Sequence, residues 1–225
     1  MPAVGKRMRP PSPPTVLQGS APPAANNAGA VSALGEAALL RAAAWHEAGH
    51  AVMAWRFGKP FDGPGVMIRL DRPGMGKTFT PGTLVLPLAR LPEALRPAAE
   101  RRLRAECIEY LAGYLAEERA LGRRGRGGGG VRRVRGEDAH RAVMLVMRAR
   151  GCIQVVAELH LAVYARATQR LLCRPDVWAA VDLLAGRLME QGRVGPADLQ
   201  VLLAGSGLRP VGPRYFAVAG RASTS

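Results

Sequence analysis

The chain has 225 residues and a formal net charge of +15, and 48% of its residues are hydrophobic. This length suits one domain with tails, and the charge favours contact with nucleic acid, anionic membrane surfaces or acidic proteins, although an Arg-rich composition can also reflect coding bias. No apolar run reaches the roughly 18 to 20 residues of a membrane span, and the three widely separated cysteines do not suggest a disulfide framework. We therefore expect a soluble, cytoplasmic protein without a transmembrane segment.

Composition divides the chain into a domain and two tails. Residues 1–33 are rich in Pro, Ala, Ser and Asn without apolar periodicity, which is typical of a disordered tail. Residues 34–205 carry the periodic apolar segments of the predicted domain, and residues 206–225 revert to a tail. Inside the domain, residues 123–135 form a loop of Gly and Arg, which predicts either a flexible solvated insertion or loose contact with RNA or phosphate.

The expected secondary structure is mainly helical, so the predicted fold class is mainly α, of the α+β type. The first helix begins near Leu34, and Gly58 with Pro60 ends it. Short β-branched segments between residues 61 and 88, broken by Gly and Pro, predict a small hairpin or sheet of two or three strands. Further amphipathic helices are predicted at residues 92–122 (interrupted at Pro97), from Asp138 onward, and at residues 154–172, 176–191 and 196–203.

The segment GMGKT at residues 74–78 invites comparison with a phosphate-binding loop. A Walker A loop needs another glycine five residues before Gly76, and that position holds Asp71. A hairpin turn is the better interpretation, so we predict no nucleotide site.

Residues 44–54, AWHEAGHAVMA, place His46 and His50 four residues apart and therefore on one face of a helix. Two imidazoles can bind one zinc ion and leave room for a third protein ligand and a water molecule. Glu47 can take a proton from that water as a general base, which is the chemistry of peptide hydrolysis. Gly49 predicts that another backbone or a ligand comes close to this face. The competing interpretation is a solvated helix that carries these residues by chance.

The third ligand is not settled by the residue pattern alone. Glu117 and Glu118 end an amphipathic face, where paired glutamates commonly form a solvated edge or pair with arginines. Asp138 lies at a helix start, where a carboxylate is also an ordinary capping group. Glu137 and His140 compete with it as possible ligands.

Three segments, in this order, resemble the peptidase domain of the FtsH family of membrane-bound, ATP-dependent zinc proteases. HEAGHA at residues 46–51 resembles the zinc helix, and LAGYLAEERALG at residues 111–122 resembles the family segment LAGRxAEExxFG. GEDAHRA at residues 136–142 resembles the helix start that supplies the third zinc ligand. The closing helices are also similar, so the resemblance covers about residues 34–205.

The resemblance implies a zincin-like helical peptidase domain whose Zn²⁺ is held by His46, His50 and Asp138, with Glu47 as the general base. A metzincin would instead need Gly at position 53 and His at position 56, which are Met53 and Arg56.

Two functions follow as hypotheses. Because the ATPase domain and membrane spans of the family are not in this sequence, the first is an ATP-independent zinc endopeptidase. It would cleave unfolded or small protein substrates, or depend on a delivery partner or separate ATPase. The alternative is a zinc-containing binding module that uses its basic loop to hold an acidic partner or nucleic acid, and such a module would not need Glu47.

Overall fold

Six helices and a small sheet make up the part of the chain that the computed structural model describes, residues 33–81, 86–122 and 136–211. The helices are α1 (Ala33–Arg56), α2 (Arg96–Ala120), α3 (Glu137–Arg150), α4 (Gln154–Leu172), α5 (Pro175–Gln191) and α6 (Pro196–Gly205). The strands are β1 (Val66–Ile68), β2 (Gly76–Thr78) and β3 (Arg193–Val194). This architecture confirms the predicted mainly α, α+β fold class. None of the described helices is both long and apolar enough to cross a membrane.

Several predictions concern segments outside the described residues. They are nearly all of the N-terminal tail at residues 1–33, the Gly/Arg loop at 123–135, and residues 212–225 of the C-terminal tail. Part of the strand region predicted up to residue 88 also lies outside. Beyond α6, Leu208 is buried and the Val211 N–H donates to the Arg56 carbonyl oxygen at 2.7 Å, so the chain stays packed against the end of α1.

The second helical block differs from its prediction at Pro97. Two short 3-10 turns, Leu88–Arg90 and Glu93–Leu95, come first, and α2 then runs unbroken to Ala120. Pro97 lies in the first turn of α2, where a missing backbone N–H leaves no helical hydrogen bond unmade. The proline therefore marks the start of this helix instead of an interruption.

Small residues let α1 lie unusually close to α2. A Cβ atom added at Gly49 would be 2.5 Å from the Ala112 carbonyl oxygen and 2.8 Å from the Ala116 Cβ. Ala48 and Val52 are completely buried in the same core. As expected for Gly49, another backbone approaches this face, and it is the backbone of α2. The close contact places the side chains of α1 and α2 within reach of each other on both sides of Gly49.

The sheet is antiparallel, with the strand order β2–β1–β3. Residues 76–78 of the GMGKT segment form strand β2, so the predicted hairpin turn is confined to the residues before Gly76. Strand β3 has only two residues and follows α5, so no alternating pattern could have predicted it. Because β1 is central, β2 is an edge strand, and it packs against α1.

Candidate metal centre

Three donor atoms from two helices converge at one point. The Nε2 atoms of His46 and His50 lie 3.0 Å apart, and each is 3.3 Å from Oδ2 of Asp138. Donors bound tetrahedrally to one zinc ion at about 2.0 to 2.1 Å would be about 3.3 Å apart. Among the described residues this is the one group of three or more His, Cys, Asp or Glu side chains arranged to hold a metal ion. The set of two imidazoles and a carboxylate therefore fits zinc in both chemistry and spacing.

The competing candidates for the third ligand point elsewhere. Glu137 pairs with Arg141 and its side chain is 75% exposed, while His140 is exposed on the same helix. Glu118 accepts a hydrogen bond from the Tyr114 hydroxyl. Asp138, the second residue of α3, is the candidate whose carboxylate lies beside both histidines.

Each histidine ring is oriented by a contact on its other nitrogen. Nδ1 of His50 is 2.7 Å from the Glu109 carbonyl oxygen, and Nδ1 of His46 is 3.3 Å from Oε2 of Glu117. Both partners are acceptors, so they favour the tautomer with hydrogen on Nδ1 and a lone pair on Nε2. Metal-binding histidines commonly have such second contacts. Glu117 therefore orients a ligand in this structure and does not belong to the donor triangle.

The carboxylate of Glu47 is held next to the triangle by strand β2. The Thr78 hydroxyl donates to Oε2 of Glu47 at 2.8 Å, and the Glu47 side chain is largely buried. A Cβ atom added at Gly76 would be 2.5 Å from Glu47 Cγ, so the strand backbone passes directly over this side chain. The edge strand and the candidate base are thus parts of one site.

Gly113 makes room for the side chain of His50. A Cβ atom added at Gly113 on α2 would be only 2.3 Å from Nε2 of His50. Gly113 itself is a signal in the sequence, because a glycine inside a helix needs a packing or functional reason. The sequence does not predict Thr78 as the partner of Glu47, since the GMGKT pattern indicates a turn and not a strand beside α1.

The charges of the centre shift the pKa values of its members. Burial lowers the pKa of His46, but hydrogen bonds to Asp138 and Glu117 and the nearby Glu47 outweigh it and raise that pKa to about 9. Burial alone would raise the pKa of Asp138, yet its contacts with His46 and His50 hold it well below the usual range. Because metal ligands must be deprotonated, a metal ion that binds these donors competes with protons for them.

A cleft of about 910 Å³ opens onto the donor atoms. One face of α1, from Leu39 to His50, forms part of its lining, together with residues 74–81 around β2 and residues of α2 and α3. Lys59 and Asp62 also line it. The candidate centre is therefore accessible to a molecule larger than water.

Comparison with known proteins adds no assignment. No protein-family profile matches this chain, and no curated protein shows significant similarity to it. The resemblance to FtsH peptidases therefore stays a prediction.

Proposed function

We propose that this chain is a zinc-dependent, ATP-independent endopeptidase with an FtsH-like peptidase domain, which hydrolyses peptide bonds of unfolded or small protein substrates. The observation that carries the proposal is the convergence of His46, His50 and Asp138 beside Glu47, at the floor of an open cleft. A structural zinc site would more commonly close its fourth position with a cysteine. Independence from ATP is supported by the GKT residues, which form strand β2 instead of a phosphate loop.

Metal binding, proton transfer and positioning of the base are assigned to different side chains. His46, His50 and Asp138 would hold Zn²⁺, which when bound supplies an acidified water molecule and polarises the scissile carbonyl. Glu47 takes the proton from the attacking water and later delivers it to the leaving amine. The Thr78 hydroxyl, 2.8 Å from Oε2 of Glu47, keeps the carboxylate in place for both transfers.

Strand β2 offers a means to hold the substrate. Its inner side pairs with β1 and its outer side is the edge of the sheet, where an extended peptide can add main-chain hydrogen bonds as a further strand. Such binding needs an extended chain, which is why unfolded or small substrates fit the site. A folded substrate would need a separate ATPase or another delivery partner to unfold it.

Removal and return of the metal tests this proposal. We expect purified protein to hydrolyse casein, to lose this activity on treatment with a chelator followed by dialysis, and to regain it with stoichiometric Zn²⁺. Circular dichroism before and after stripping checks that the helices survive. Casein hydrolysis that persists in fully zinc-free protein would contradict the proposal.

A further inference from the structure

A second polar cluster, made of Lys59, Glu106, Glu109 and Thr80, lies at the side of the cleft. The Lys59 ammonium donates to Oε2 of Glu106 at 3.0 Å and to Oε2 of Glu109 at 2.9 Å. The three side chains are only 5%, 2% and 9% exposed. The Thr80 hydroxyl donates to the remaining Glu109 oxygen, Oε1, at 3.0 Å. This buried network joins the segment after α1, helix α2 and the segment after β2.

Glu109 connects this network to the metal centre. Its side chain is held by Lys59 and Thr80, and its backbone carbonyl oxygen lies 2.7 Å from Nδ1 of His50. This carbonyl is the contact of the His50 ring on the side away from the donor triangle. Gly113, one turn further along α2, has no side chain where the ring lies, since a Cβ atom there would be 2.3 Å from Nε2.

We infer that Lys59 is a positioning residue for the metal ligand His50 and acts through Glu109. The inference rests on the metal centre of the proposed function, although it does not depend on peptide hydrolysis. Two carboxylates on one face of α2 repel each other when buried together, and the Lys59 ammonium between them holds both in place. Helix α2 is thereby fixed beside α1 at the turn that presents the Glu109 carbonyl to His50. Removal of a group that directly contacts a metal ligand commonly costs about 10- to 100-fold in metal affinity, and Lys59 acts one contact further out, so we expect an effect at the lower end of this range.

The test compares Lys59→Met with wild type in two binding measurements. The first is the dissociation constant of Zn²⁺, measured by competition with a chromogenic chelator. The second is the visible spectrum of protein loaded with Co²⁺, which reports the geometry of the donor atoms. We expect about a 10-fold rise in the Zn²⁺ dissociation constant and a changed Co²⁺ spectrum. Unchanged affinity and spectrum in the folded variant would overturn the inference.

A neutral variant separates positioning from folding. Lys59→Met combined with Glu106→Gln and Glu109→Gln removes all three charges at nearly constant volume, and neutral replacements of this kind are often tolerated by buried ionic groups. The triple variant removes the repulsion together with the cation, but it also loses the ammonium–carboxylate hydrogen bonds that tie the segment after α1 to α2. We therefore expect its Zn²⁺ dissociation constant to stay above that of wild type. Wild-type affinity in the folded triple variant would show that these ties do not position His50, and it would overturn the inference whether or not Lys59→Met alone folds.

Arg174→Met is the matched control. This substitution also removes the cation of an ion pair, since Arg174 lies 2.9 Å from Asp176, but the Arg174 side chain is 52% exposed. We expect its Zn²⁺ affinity and Co²⁺ spectrum to equal those of wild type. An equal loss in Arg174→Met would attribute the effect to total charge and overturn the inference. Because neither measurement involves casein, an inactive protein that still binds zinc would contradict the proposed function and leave this inference standing.

Discussion

Two polar clusters lie where α1 and the residues after it meet α2, and the carboxylates in them have different partners. The cluster of Lys59, Glu106 and Glu109 has its own cation, and the Lys59 ammonium touches both carboxylates. Burial lowers the pKa of Lys59, but the two carboxylates outweigh burial and raise it. In the cluster of His46, His50 and Asp138 the carboxylate touches two imidazoles instead, and although burial lowers the pKa of His46, its contacts with Asp138 and Glu117 raise it to about 9.

The difference suggests why one cluster is a candidate site and the other a support. The two carboxylates around Lys59 are held by an ammonium group of the chain itself, and all three side chains are almost fully buried. The histidine cluster is more open: the His46 and Asp138 side chains are 25% and 29% exposed. A proton can leave such a site and a metal ion can take its place.

The largest effect is expected from Asp138→Asn. Loss of the carboxylate removes one of three donors, so Zn²⁺ affinity should fall by more than the about 10- to 100-fold typical of an outer contact, and casein hydrolysis should disappear. Zinc content after dialysis measures the first effect. Glu137→Gln is the control, because this neighbouring carboxylate pairs with Arg141 and faces solvent. If Glu137→Gln lost zinc and Asp138→Asn kept it, the ligand assignment would be wrong.

A smaller effect is expected from Glu117→Gln. The amide still reaches Nδ1 of His46, but it no longer supplies the negative charge that favours the correct ring state. We expect about a 10-fold weaker Zn²⁺ affinity with the donor triangle intact, measured by chelator competition. Glu118→Gln changes the adjacent glutamate, which bonds to Tyr114, and should leave the affinity unchanged. Equal Zn²⁺ affinities in the two variants would show that Glu117 does not orient His46 for metal binding.

The smallest effect on the metal is expected from Gly49→Ala, which acts on the helix contact. The new Cβ would meet the Ala112 carbonyl oxygen at 2.5 Å, so the helices must separate slightly. We expect a loss of about 1 to 3 kcal/mol in the free energy of unfolding, as for other overpacked cores. Gly186→Ala on α5 meets nothing within 4 Å, and it should stabilise by up to about 1 kcal/mol through helix propensity. Urea denaturation of both variants measures this difference. An unchanged free energy of unfolding in Gly49→Ala would contradict the close contact between α1 and α2.

Local spacing predicts much of the fold and two of the three donor residues, His46 and His50. The pairing of His46 with His50 follows from helical geometry, and the glycine between them marked the close contact with α2. Asp138 is 92 residues from His46 in the chain, so no local pattern could join them. The residue pattern left Asp138 as one of several candidate ligands, and the family resemblance selected it.

The Lys59 cluster was missed for the same physical reason. Lys59 is 50 residues from Glu109, and the residues around it were interpreted only as the end of a helix. A glutamate in an amphipathic helix usually faces solvent, whereas Glu106 and Glu109 face inward because Lys59 is there to receive them. Buried ionic contacts between distant segments depend on the assembled fold, and periodicity does not contain that information.

Glu47→Gln changes the candidate base and leaves all three donor atoms in place, so it separates peptide hydrolysis from metal binding. Zinc content and casein hydrolysis should be measured side by side for wild type and this variant. We predict about one zinc per chain in both proteins and a loss of about 10²- to 10⁴-fold in hydrolysis for Glu47→Gln, the range that general acid–base catalysis supplies. Zinc-loaded wild type that leaves casein intact, or a Glu47→Gln protein that cleaves it equally well, would contradict the account.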